Sequence, residues 1–276
     1  MVETLGKVGI FVILDNHMSD ANWCCNIDDG NGLWYTNRWP EEYFFEGWKG
    51  MVARFINDPM VIGVDLRNEL RLAFVDRTFR DPRWGSGDLL NDWYIAASRA
   101  ANDILAINPK LLIIIQGTHS GKLLVNAKEL PIQLIVPNKL VYSSHDYSWF
   151  HLGINFNRET EETYQEYKEK LDGNWGFILE DGNTYTAPMW VGEFGTGHND
   201  DGLGYYWTCL LRYMKEKDLD FSYWPIDGTQ SRGDGREFGA EEGFGILNTT
   251  WSGIAYQPHF QTIQDIMNPH LGPLRP

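Results

Sequence analysis

Cysteine is scarce in this chain of 276 residues: Cys24, Cys25 and Cys209 are the whole complement. Two of them are adjacent, a spacing that suits neither a zinc site nor a CxxC redox pair. The odd number leaves at least one thiol unpaired within the chain, and either adjacent cysteine is free to pair with Cys209 or beyond the chain. Positive charge is also short, with 23 Lys and Arg against 38 Asp and Glu and a formal net charge of −15. A nucleic-acid backbone demands a basic surface, so nucleic acid is excluded as a partner and a neutral ligand suits the chain better. No stretch reaches the roughly 18 apolar residues of a membrane span. Nor does a basic start, an apolar run and a small-residue cleavage site follow Met1, as a secretory signal requires. The opening VETLGKVGIFVILDNH reads instead as a helix end, a Gly turn and a buried strand, so the chain is expected to begin in mid-fold. Walker, GxSxG and HExxH sequences are missing too. GTGHNDDG lacks the third glycine of a dinucleotide loop at Asp200, and DDGNG at 28–32 lacks the glutamate of a calcium loop. Nucleotide, serine-hydrolase and metal chemistry therefore find no motif.

Aromatic residues, by contrast, are plentiful: 12 Trp, 13 Tyr and 14 Phe. Such rings build cores, and this many indoles also offer flat platforms to a ligand with an apolar face and a polar rim. With 43% hydrophobic and 22% charged residues, the chain is expected to fold. Short β-branched runs at Val8–Leu14, Val61–Leu66, Leu111–Ile115, Leu140–Ser143, Met189–Val191 and Phe221–Trp224 predict six strands. Runs apolar on both faces belong to parallel sheets covered by helices. Helical stripes fall between them: Phe44, Trp48, Met51, Val52 and Phe55 after Pro40; Leu89, Trp93, Ala96, Ala100 and Ile104; Tyr164, Tyr167 and Leu171; Gly204 to Asp218; and Phe260 to Met267. Repeated strand–helix units predict an α/β fold, either doubly wound or a barrel. Five of the six strands end in unusual polar residues, DNH, RNE, SHDY, GEF and WPIDG, while the third, ending QGTHSG, is less distinctive. Functional groups at many strand ends point to a TIM (β/α)₈ barrel rather than a single switch point.

Two of these strands end in a carboxylate. PMWVGEFGTG places Glu193 after a run fit for a core, and VIGVDLRNEL does the same with Glu69, preceded by Asn68. A buried charge needs a partner or a task. Taken singly, Glu193 is open to a structural salt bridge, and Glu69 to one with Arg67 or Arg71. Taken as a pair at strand ends, they match what glycosidic bond cleavage requires. In LVYSSHDYSWF, His145 and Tyr147 alternate and so point the same way. Such groups can orient the two carboxyls, or else satisfy each other in a core. His17 after VILDN and Trp224 after FSY are placed to meet a sugar hydroxyl and a sugar face.

ILDNH at 13–17, RNE at 67–69, HDY at 145–147, GEFG at 192–195 and YWPIDG at 223–228, in that order, resemble glycoside hydrolase family 5 of clan A, from the first strand to about Trp251. The resemblance implies a retaining β-glycosidase, in the first place a secreted, extracellular endo-β-1,4-glucanase acting as a monomer on β-glucan, with no metal and no cofactor. It implies Glu69 as acid/base and Glu193 as nucleophile, with Asn68 on the sugar 2-OH, His145 and Tyr147 orienting the carboxyls, and His17 and Trp224 holding the sugar. Trp23, Trp34 and Tyr35 would be further platforms. A β-mannanase or glycolipid β-glycosidase is the alternative within the class, and a non-catalytic carbohydrate-binding protein or inactive fragment the alternative outside it. Two departures stand out. Leu70 takes the place of the family's proline, and the six strands match the third to eighth of the barrel. The chain, residues 1–276, is thus expected to be a single catalytic domain lacking its first two β/α units and the arginine that the second strand carries.

Overall fold

All six expected strands form, separated by helices wherever a stripe of apolar residues has a face to bury. The computed structural model describes residues 1–20, 29–197, 204–233 and 235–267. Its elements run α1 (Val2–Lys7), β1 (Val12–Asp15), α2 (Glu41–Arg54), β2 (Val61–Asp65), β3 (Ala73–Val75), β4 (Thr78–Arg80), α3 (Trp93–Ile107), β5 (Leu112–Gln116), β6 (Leu140–Asp146), α4 (Glu161–Asn174), β7 (Met189–Phe194), α5 (Tyr205–Lys217), β8 (Asp220–Tyr223) and α6 (Gln257–Met267). Trp23, Cys24 and Cys25 lie outside the described residues.

Two starts and one hairpin differ most from expectation. The first strand starts at Val12 rather than Val8, because Gly9 turns at φ 80° and the Ile10 N–H bonds back to the Leu5 carbonyl. The third helix starts at Trp93, where Asp92 accepts from the Ile95 N–H and also from Gly85 and Gly87. This cap leaves Leu89 outside the helix and 63% exposed. The hairpin β3–β4 was not foreseen; its Asp76-Arg77 turn has both residues at positive φ, which those residue types announce weakly.

The strand order is β1-β2-β5-β6-β7-β8. The first four run parallel, Tyr142 N–H to Pro188 O carries the ladder to β7, and Trp224 N–H bonds to Phe194 O beside β8. Strands adjacent in sequence are adjacent in space, apart from the separate hairpin. A doubly wound sheet reverses its order at a switch point, and this one never does.

By internal contacts the chain forms two compact units, Met1–His145 with Leu171–Gly192, and Asp146–Lys170 with the chain from Glu193 onward. In the first, α2 buries Phe44, Phe45, Trp48 and Val52, whereas Met51 is exposed. Two indoles dock on main-chain carbonyls at the strand ends: Trp48 donates to Leu66 O and Trp93 to Gln116 O, each at 3.0 Å. A buried carbonyl without such a donor would cost about 1–3 kcal/mol.

In the second unit, Phe194 stacks on Trp207, whose indole N–H reaches Thr262 of α6. Cys209 is buried, and burial pushes its thiol up to about 11; it forms no disulfide among the described residues. Asp146 is 1% exposed and accepts from the hydroxyls of Tyr206 (2.8 Å) and Tyr167 (3.1 Å) and from His151 Nε2 (2.9 Å). Burial, and then the Asp146 charge, hold both tyrosines well above their ordinary pKa. One carboxylate thereby fastens the end of β6 to α4 and α5. Asp146→Asn replaces an acceptor oxygen with a donor amide facing these groups. It is expected to cost ~2 kcal/mol, read as a lower urea midpoint with an unchanged m-value.

Candidate active site

Within the first unit, four of the expected residues converge. Glu69 follows β2, is 8% exposed, and its Oε1 lies 3.0 Å from His145 Nδ1. Asn68 Nδ2 sits 3.3 Å from His17 Nε2, and His17 Nδ1 is 2.8 Å from Asp15 Oδ2. An amide nitrogen only donates, so His17 Nε2 accepts and the proton sits on Nδ1 toward Asp15. The main chain is fixed as well, with Asn68 N–H on Asn16 O. Arg67 is fully buried and directs its two Nη atoms to Asn16 Oδ1 and Asn31 O; burial lowers its pKa to about 9. Arg71 pairs with Asp29 at 2.7 Å and donates to Glu69's main-chain oxygen.

Within the second unit, Tyr147 donates its hydroxyl to Glu193 Oε1 at 2.9 Å. Trp149, 53% exposed, stacks on Tyr147 at 4.4 Å between centroids, and Phe244 meets both rings edge-on. Glycines on either side of Glu193 permit close approach. A Cβ at Gly192 would run into Ser143 Oγ, and one at Gly195 into the Trp224 carbonyl. The GEFG sequence is thus a packing requirement as much as a signature.

The aromatic platforms need correction. Trp34 is 1% exposed, with its indole N–H on Glu41 and its ring against Tyr35 and Trp93. Tyr35 is buried and donates to Leu90 O. Both are core residues, because Trp34 is held against Glu41 of α2 and Trp93 of α3, and Tyr35 against the Leu90 carbonyl. Trp34 forms part of the wall of a cavity of ≈ 250 Å³ beside Asn16. The rings with open surface there are Trp39, half-buried, and Tyr43, 61% exposed.

Sequence reasoning also passed over Asp65, Gln116, Trp149 and Phe244. Asp65 ends β2 and is 5% exposed; burial first, then the neighbouring Asp15, raises its pKa above the carboxylate range. Alternation along β2 was the available signal, since Asp65 falls on a strand that is otherwise apolar. A raised native pKa stabilises the fold below the unfolded value and loses that contribution as pH rises through the native value. Asp65→Asn, with no proton to lose, is expected to show a shallower alkaline decline in Tm than the parent. Thermal melts from about pH 4 to about pH 9 check this, and parallel curves would refute it.

Comparison with known proteins adds a family. Residues 1–230 match the model of "Cellulase (glycosyl hydrolase family 5)". An endoglucanase of Paenibacillus polymyxa is 33% identical over 245 residues, covering 82% of this chain and 56% of that protein. A glycosyl hydrolase 5 family protein of Chamaecyparis obtusa is 29% identical, covering 98% of this chain and 46% of that protein. The chain thus spans about half the length of these curated relatives. Among solved structures, the hyperthermophilic endocellulase of the archaeon Pyrococcus horikoshii aligns with a TM-score of 0.77 and 26% identity, over 97% of this chain and 72% of that one. A cellotetraose complex of that endocellulase aligns with the same values.

Proposed function

The chain belongs to glycosyl hydrolase family 5, the cellulase family, with its barrel fold, and we propose that it hydrolyses β-1,4-glucan with retention of configuration. Residues 1–276 would act as one catalytic domain, in which Glu69 and Glu193 serve the same glycosidic bond. The observation that carries this reading is the division of labour at the end of β6: His145 holds Glu69 and, two residues on, Tyr147 holds Glu193. Each carboxyl accepts a hydrogen bond from a side chain at that strand end, which suits an acid and a nucleophile with different tasks.

In the first half-reaction Glu193 attacks the anomeric carbon while Glu69 gives its proton to the departing glycosidic oxygen. The C–O bond to the leaving sugar breaks and a glycosyl ester forms on Glu193. Glu69, now a carboxylate, takes a proton from water, and the water oxygen displaces Glu193. The Tyr147 hydrogen bond orients the Glu193 carboxyl. Asn68 and His17 would bind sugar hydroxyls, and Trp224 a ring face. Trp149 takes the platform role first given to Trp34, because it is the exposed ring stacked on the tyrosine that holds the nucleophile. Cellotetraose is bound by the Pyrococcus endocellulase, and a β-glucan chain is the corresponding substrate here. Such a polymer is met outside the cell, which supports secretion. Among the described residues no helix is long and apolar enough to cross a membrane.

Retention requires the two carboxyls about 5 Å apart. NMR of the first-formed anomer from cellotetraose is expected to show the β form. An α product would overturn the retaining mechanism, and binding without any turnover would make the chain a carbohydrate-binding protein. Glu193→Gln is expected to abolish turnover with sugar binding kept; near-normal activity would remove Glu193 as nucleophile. Trp149→Ala is expected to raise KM for cello-oligosaccharides about 5-fold, the loss of one stacking contact worth ~1 kcal/mol.

A further inference from the structure

The strand whose end looked least distinctive, β5, supplies an unexpected contact. Gln116, its last residue, is 1% exposed and accepts a hydrogen bond from the main-chain N–H of Glu69 at 2.9 Å. Its other end donates to Asp65 Oδ2 at 2.8 Å. The order of atoms is forced. Glu69 N–H is a donor, so it takes the amide oxygen, and the amide nitrogen is left facing an acceptor, which Asp65 supplies. The Gln116 main chain is pinned too, by the Trp93 indole on its carbonyl.

Glu69 needs such a support. It sits at φ 42°, the left-handed region, where a residue with a Cβ is strained by roughly 1–2 kcal/mol. An outlier of this kind persists only when its surroundings over-determine it. Three further main-chain contacts do part of this work: Arg71 on Glu69 O, Ser120 N–H on Leu70 O, and Asn16 O on Asn68 N–H. Gln116 is the side chain that takes the Glu69 N–H itself. Removing it would orphan a buried donor and free the backbone to relax toward ordinary φ, carrying the carboxyl with it.

We propose that Gln116 is a positioning residue for the acid/base Glu69, holding its main chain in the left-handed conformation, with Asp65 behind it selecting which end of the amide faces Glu69. The proposal rests on the assignment of Glu69 made above. Its signature is selective. A displaced acid fails to protonate a poor leaving group, whereas a leaving group that departs unaided does not need the proton. General disorder of the site would harm both.

The test compares kcat/KM, which reports the bond-breaking half-reaction, on cellotetraose and on 2,4-dinitrophenyl β-cellobioside. Gln116→Leu is expected to lower the cellotetraose value about 10²-fold, the cost of misplacing a catalytic group, and the dinitrophenyl value by less than about 3-fold. Equal losses on both substrates, or no loss on either, would overturn the proposal. If the parent protein cleaves neither substrate, the hydrolase reading fails instead, and the two failures are distinct.

Gln116→Glu supplies a second measurement should the leucine variant not fold. A carboxyl at 116 still accepts from Glu69 N–H, but it satisfies Asp65 only while the pair shares a proton. The other titratable groups around Asp65 are Asp15 of β1, His17 just past it and His145 of β6, and they are unchanged in the variant. The alkaline limb of its cellotetraose profile is therefore expected to move to lower pH, with activity recovered on the acid side. A profile superimposable on the parent's would overturn the proposal.

Discussion

Three consecutive residues at the end of β6 hold the contacts on which the rest depends. His145 reaches Glu69 in the first unit, and Tyr147, just past the strand, reaches Glu193 in the second. Asp146, between them in sequence, is gripped by Tyr167, Tyr206 and His151. The residue that fastens the strand end to its covering helices is thus interleaved with the two that hold the carboxyls. Anchoring and chemistry fall on consecutive residues of the chain.

The same economy appears around Glu69. Its neighbours on the chain, Arg67 and Asn68, are engaged with the β1 loop through Asn16 and His17, and its own main chain is held by β5 through Gln116. The ends of two neighbouring strands, β1 and β5, thereby converge on one short segment after β2 that is too strained to hold itself. Burial makes these bonds decisive: with Arg67 fully buried and Asn68 and Gln116 nearly so, each polar atom that lost its partner would carry the full cost of desolvation. The raised pKa of Asp65 is a by-product of that dryness.

Much of this was legible in the sequence. Six apolar runs became six strands because periodicity and β-branching act locally, and the glycines flanking Glu193 reflect a demand for close approach that no other residue meets. The pairing of Glu69 with His145 and of Glu193 with Tyr147 was legible once strand ends were taken as the place where polar residues gather. The aromatic platforms were not. WCCNIDDGNGLWY holds several rings, but composition says nothing of which way a loop folds, and Trp34 and Tyr35 went into the core while Trp149 remained open. The start of β1 was misplaced for a smaller reason: Val8, Ile10 and Phe11 are apolar yet exposed, and the turn at Gly9 outweighs their strand preference.

What the sequence determined by itself is the alternation of strand and helix, the carboxylates at the ends of two strands, and through their motifs the family. These follow from residue type and spacing, which are properties of the chain alone. What only the tertiary structure decided is who touches whom across long stretches of chain. Gln116 looked ordinary because a glutamine at a strand end is common; 47 residues separate it from Glu69, and no local rule links them. The parallel ladder brings the two strand ends side by side. A left-handed turn directs one N–H outward, and a single amide, oriented by Asp65, meets it.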